Sequence, residues 1–68
     1  MNVVTIKWKK EQREATYEAI EMSHWLRAQG LTLNVDFDWF FRSNFKETEF
    51  RFYGEDGMAT MFSLRFVQ

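Results

Sequence analysis

Asp36 and Asp38 stand two residues apart in the run Leu31-Thr32-Leu33-Asn34-Val35-Asp36-Phe37-Asp38-Trp39-Phe40-Phe41. On an extended strand that spacing puts both carboxylates on one face, where their oxygens are the ligand type a divalent cation takes. The same face is expected to carry Arg51 on the next strand and Arg65 beyond it. Opposite charges on neighbouring strands pair across a sheet for roughly 0.2–1 kcal/mol. A cross-strand charge ladder is therefore preferred to a metal site. His24 is the single histidine, and there is no cysteine. It sits off the apolar stripe of its helix, near Glu21, Arg27 and Ala28. With no second histidine, no thiol and no serine in a strained turn, it assembles no nucleophilic triad and reads as a surface residue.

Trp8-Lys9-Lys10, Arg42, Lys46, Arg51 and Arg65 combine the residue types that stack on bases and contact phosphates. The segment Phe50-Arg51-Phe52-Tyr53 resembles such a surface at first sight. Alternation, however, puts Phe50 and Phe52 on one face and Arg51 on the other, so the phenylalanines read as core. Asp36, Asp38 and Glu49 share the arginine face and would repel phosphate. Gly54-Glu55-Asp56-Gly57 has neither the glycine spacing nor the charge of a phosphate-binding loop. No cofactor or metal is expected, and the chain reads as non-enzymatic.

Four strands and a helix have to position these groups. Val3 to Trp8 alternates, with Val4, Ile6 and Trp8 on one side and Val3, Thr5 and Lys7 on the other. Lys10 to Gln29 has no helix breaker. Its Ala15, Ala19, Met22 and Leu26 form one stripe, flanked by Ile20 and Trp25. Gly30 is placed as the residue after the helix and Leu31 as the one that packs back on it. The N-terminal boundary has no good cap, because Lys9 and Lys10 offer no acceptor oxygen. Every odd position from 31 to 41 is apolar, which predicts a long half-buried strand ended by a turn at Arg42-Ser43-Asn44. Thr48 to Tyr53 is a third strand. Phe62 to Phe66 alternates again and is taken as a fourth, with Met58 to Met61 either extending it or making a helical turn.

The expected fold is α+β in the order β-α-β-β-β, one helix on one face of a mainly antiparallel four-stranded sheet. If Met58 to Met61 is helical, the alternative is a reduced ferredoxin-like β-α-β-β-α-β. The chain has 68 residues and reads as one domain over residues 1–68. At that size a chain buries only about 60% of the surface its unfolded form exposes. Nine basic and ten acidic residues leave a formal charge of −1, which argues against binding nucleic acid by bulk charge. Thirteen aromatics, eight of them Phe, are incompatible with ordinary disorder. The N-terminus lacks a signal-peptide pattern, and no apolar run approaches the roughly 20 residues that span a bilayer. Together with the absence of cysteine, this predicts a cytoplasmic protein.

One helix cannot cover both faces of a sheet. Phe40, Tyr53, Met61 and Val67 are assigned to the uncovered side and form the candidate interaction surface. Uncovered apolar groups, and sheet edges with no proline to protect them, predict a protein partner or self-association. A homodimer is expected, with Phe40 or Tyr53 near its contact.

Ala59-Thr60-Met61-Phe62-Ser63-Leu64-Arg65-Phe66, following the acidic Glu55-Asp56, resembles the closing segment of small uncharacterised proteins of tailed bacteriophages. The resemblance implies a viral accessory protein in the host bacterial cytoplasm. It implies no activity and assigns no functional residue. The function expected is that of a small protein-interaction or accessory protein. The alternative is a nucleic-acid-binding accessory protein.

Overall fold

The β-branched run Val3-Val4-Thr5-Ile6 favours a pleated strand, and in the computed structural model it lies in β1, Asn2–Lys7. The elements that follow are α1 (Gln12–Ala28), β2 (Phe37–Arg42), β3 (Glu47–Phe52) and α2 (Asp56–Phe66). The structure describes residues 1–54 and 56–67. The sheet has three strands in the order β1-β3-β2, and both neighbours of β3 run antiparallel to it. The fold is α+β, with two helices rather than one and three strands rather than four among the described residues.

α1 matches its predicted stripe. Ala15, Ala19, Met22 and Leu26 are all buried. Glu11 is the N-cap and makes no side-chain capping bond. At the other end Gly30 has φ +95°, a conformation that disfavours any residue with a Cβ. Its N–H donates to the carbonyl of Arg27 at 3.0 Å, and the N–H of Leu31 donates to that of Leu26 at 3.2 Å. These two bonds make the Schellman closure, and Leu31 packs back against the core.

Two expectations are corrected. The strand predicted from Leu31 begins only at Phe37. Asn34 takes a left-handed φ of 68°, which asparagine tolerates better than most residues. The Asp36 carboxylate accepts the Thr32 N–H at 2.7 Å, and the Asp36 N–H returns to the Thr32 carbonyl at 2.8 Å. Residues 32–36 therefore close into a turn, and Val35 is 66% exposed despite its place in the alternation.

The second correction concerns the end of the chain. Phe62 to Phe66 is not a strand: it continues the helix α2. The alternative reading was right about Met58 to Met61, but no strand follows them among the described residues. Of the predicted turn Gly54-Glu55-Asp56-Gly57, Glu55 lies outside the described residues and α2 already begins at Asp56. Met58, Ala59, Phe62 and Phe66 recur at helical spacing, so one face of α2 reaches the core. Leu64, which a strand would have buried beside Phe62, is 76% exposed.

Both helices cover the same face of the sheet. The core joins Ile6, Phe37, Phe50 and Phe52 from the strands to Met22 and Leu26 of α1 and Ala59 and Phe62 of α2. Phe62 is the hub. Its ring lies 4.6 Å from Phe50, 5.4 Å from Phe52, 4.9 Å from Phe66 and 6.4 Å from Trp25, centroid to centroid. Thr48, a fully buried polar side chain in this layer, accepts the indole N–H of Trp8 at 2.7 Å. A lone hydroxyl would be costly there, and this bond satisfies it.

Candidate functional site

The face opposite the helices is the site. Its composition follows from register. Phe37 faces Phe52 across the β2–β3 pair, so Asp38 faces Arg51, Phe40 faces Glu49 and Arg42 faces Glu47. On the other side of β3, Val3 faces Arg51, Thr5 faces Glu49 and Lys7 faces Glu47. Odd positions of β1 and β3 and even positions of β2 therefore point away from the helices. The face carries three cations, Lys7, Arg42 and Arg51, and three carboxylates, Asp38, Glu47 and Glu49.

Four of these charges form two ion pairs. Arg51 donates from Nε and Nη2 to the two oxygens of Asp38 at 2.7 and 2.8 Å. The Tyr53 hydroxyl donates to the same carboxylate at 2.7 Å. Arg42 donates to Glu49 at 2.7 Å. The Arg51 guanidinium also lies 4.8 Å above the Phe40 ring, a cation–π contact. Asp38, Phe40, Arg51 and Tyr53 thus form one connected group, with Phe40 37% and Tyr53 44% exposed.

The electrostatics follow from that geometry. The hydrogen bond from Arg51, helped by that from Tyr53, holds the Asp38 carboxyl below its ordinary value against the opposing effect of desolvation. The bond to Asp38 holds the Tyr53 phenol above its ordinary value, and the same carboxylate raises Arg51. A depressed carboxyl stabilises the fold above its unfolded pKa, and that contribution is lost as pH falls through the folded value. A raised phenol works in the other direction: its contribution is complete below the unfolded pKa and is lost as pH rises through the folded one. Arg51→Gln should move the Asp38 titration upward toward the ordinary carboxylate range. NMR titration of the Asp38 side chain reads this directly, and an unmoved midpoint would show that the ion pair does not form in solution.

The residues singled out from sequence do not all converge here. The Asp38–Arg51 pairing is present, but Asp36 lies in the 32–36 turn, and Arg65 lies on α2 with its guanidinium 5.3 Å from the Trp25 ring. The two carboxylates that could have shared a cation are separately engaged. Among the described residues no group of three His, Asp or Glu side chains is placed to hold a metal ion. Phe40 and Tyr53 share the helix-free face. Met61 instead borders an open apolar hollow with Gly30, Leu31, Phe52, Gly54 and Met58. Val67 lies beside Thr5, Ile6 and Lys7 at the free edge of β1. His24 is exposed on α1, in a shallow hollow with Glu18, Glu21 and Arg65. The row formed by Lys7, Glu47 and Arg42 was missed. Placing the hairpin turn at residues 43–46 would have aligned Arg42 with Glu47 by counting back from the turn.

Compared with known protein families, with curated proteins and with solved structures, the chain matches none. No helix among the described residues is long and apolar enough to cross a membrane.

Proposed function

We propose that this is a small non-enzymatic accessory protein that binds another protein through the helix-free face of its sheet. The observation that carries the reading is the state of that face: two exposed aromatic rings held by a charge network that is already paired. A rigid aromatic anchor with a polar surround is the usual makeup of a protein-binding patch. Nucleic acid is the second reading, because Phe40, Tyr53 and three cations share one sheet face. Three carboxylates on the same face offset those cations, which favours a protein partner. The resemblance of residues 59–66 to phage proteins adds that the protein acts as a viral accessory factor in the bacterial cytoplasm. Self-association through Phe40 or Tyr53 is a competing use of the same face.

The test compares the native chain with the double variant Phe40→Ser, Tyr53→Ser in affinity capture from expressing bacterial cells. A partner retained by the native chain and lost by the variant, with unchanged circular dichroism, is the expected result. Fluorescence anisotropy should show no complex with single- or double-stranded nucleic acid near physiological salt. A micromolar complex that survives competitor would replace the protein-binding reading with the nucleic-acid one.

A further inference from the structure

The sheet has two outer strands, and their edges differ. The N–H of Trp8 donates to the carbonyl of Lys46 at 2.8 Å, continuing the register in which Ile6 faces Thr48 and Val4 faces Phe50. In an antiparallel ladder, bonded and non-bonded pairs alternate. Val4, Ile6 and Trp8 therefore direct their backbone groups to β3, and Val3, Thr5 and Lys7 direct theirs outward. The β2–β3 ladder has the complementary phase: Tyr53 N–H donates to the Asp36 carbonyl at 2.9 Å, so the odd residues of β2 point outward. On that edge Phe37 is already covered. Its carbonyl accepts the Asn34 N–H at 2.7 Å, and Leu33 bridges to it. No comparable cover lies over Val3, Thr5 and Lys7 among the described residues.

We infer that the β1 edge pairs with β1 of a second copy of the chain, antiparallel about a two-fold axis at Thr5. An unpaired edge selects an extended strand as its occupant, and β1 is itself such a strand. Only residues of the same parity can face each other if the two helix layers are to lie on one side. With Thr5 opposite Thr5 of the partner subunit, Val3 of each copy faces the other copy's Lys7, and Val4 faces Ile6. All three outward residues then take part, forming about six backbone hydrogen bonds. The two lysines stay apart, the threonines pair across the axis, and Val4 and Ile6 continue the apolar strip under the helices. Centring the axis on Val4 would leave Lys7 outside the ladder. Centring it on Ile6 would leave Val3 outside. α2 lies over β1, so the exposed Val67 that follows it, beside Thr5 and Ile6, is placed to cover the joined edge from the helix side. The result is a continuous six-stranded sheet with both helix-free faces on one side. This contact does not depend on the partner-binding face and leaves Phe40 and Tyr53 open.

The chain has no cysteine, so one introduced thiol reports one contact. Directly opposed, hydrogen-bonded residues have Cα atoms roughly 5.5 Å apart, within disulfide range. Thr5→Cys should oxidise to a covalent dimer at least about tenfold faster than the surface control Arg13→Cys, because pairing raises the local thiol concentration. Should Thr5→Cys fold poorly, a mixture of Val3→Cys and Lys7→Cys chains gives the same information. It should yield the mixed disulfide in preference to either homodisulfide. Light scattering of the native chain should approach twice 8.3 kDa as concentration rises. A mass of 8.3 kDa at every accessible concentration would overturn the inference. So would fast cross-linking of Phe40→Cys with slow cross-linking at Thr5, which would move the contact to the helix-free face.

Discussion

Phe62→Ala is expected to cost about 3–5 kcal/mol, the range for emptying a buried aromatic site. Phe62 is fully buried and meets Phe50, Phe52, Phe66 and Trp25. Truncation opens a cavity between α2 and the sheet that four rigid rings can fill only by moving together. For a chain of this length total stability is roughly 3–10 kcal/mol, so the variant should be largely or wholly unfolded. Leu64→Ala is the companion measurement. Leu64 is exposed on α2, and its loss should cost under about 0.5 kcal/mol. On a strand the two side chains would share one face, and both substitutions would be severe. Comparable losses in urea denaturation would mean that residues 62–66 are extended in solution.

Leu26→Ala is expected to cost about 2–5 kcal/mol. Leu26 lies in the middle of the core on the last turn of α1, next to Leu31, which the Schellman closure folds back. His24, two residues away on the same helix, is exposed, and His24→Ala should change stability by under about 0.5 kcal/mol. The pair tests the orientation of α1 as the Phe62 and Leu64 pair tests that of α2. Equal losses at 24 and 26 would mean that the helix is rotated about its axis.

α1 was legible because several local signals agree. The apolar stripe, the absence of breakers and Gly30 with Leu31 after the last turn all act within a few residues of one another. The faces of β1 and β3 were legible for the same reason, since alternation acts within each strand. The Asp38–Arg51 pair was reachable from those faces, because a charge on each strand of a hairpin meets its neighbour once the register is set.

α2 was not legible as a helix. Phe62 and Phe66 are four apart, which satisfies period 2 and period 3.6 alike, and Leu64 between them tipped the reading toward a strand. What decides is the position of Met58 and Ala59, which join Phe62 and Phe66 on one face only if the segment is helical. The run from Leu31 to Leu33 failed for a related reason: its alternation is real, but the Thr32–Asp36 hydrogen bonds and the left-handed Asn34 turn the chain before Phe37.

The sequence by itself determined the class of the fold, the core face of α1, β1 and β3, and the place of Asp38, Phe40, Glu49, Arg51 and Tyr53 on one sheet face. Each of these depends on interactions between residues close along the chain. Tertiary structure decided the order β1-β3-β2, the helical state of residues 58–66 and the joining of Asp38, Phe40, Arg51 and Tyr53 into one group. It also decided that Phe37, at the outer edge of β2, is covered by Leu33 and Asn34. A short apolar segment takes the conformation that buries its large side chains against what is already there. Here that surface is Phe50 and Phe52 on the sheet and Trp25 on α1, all of which Phe62 meets from α2.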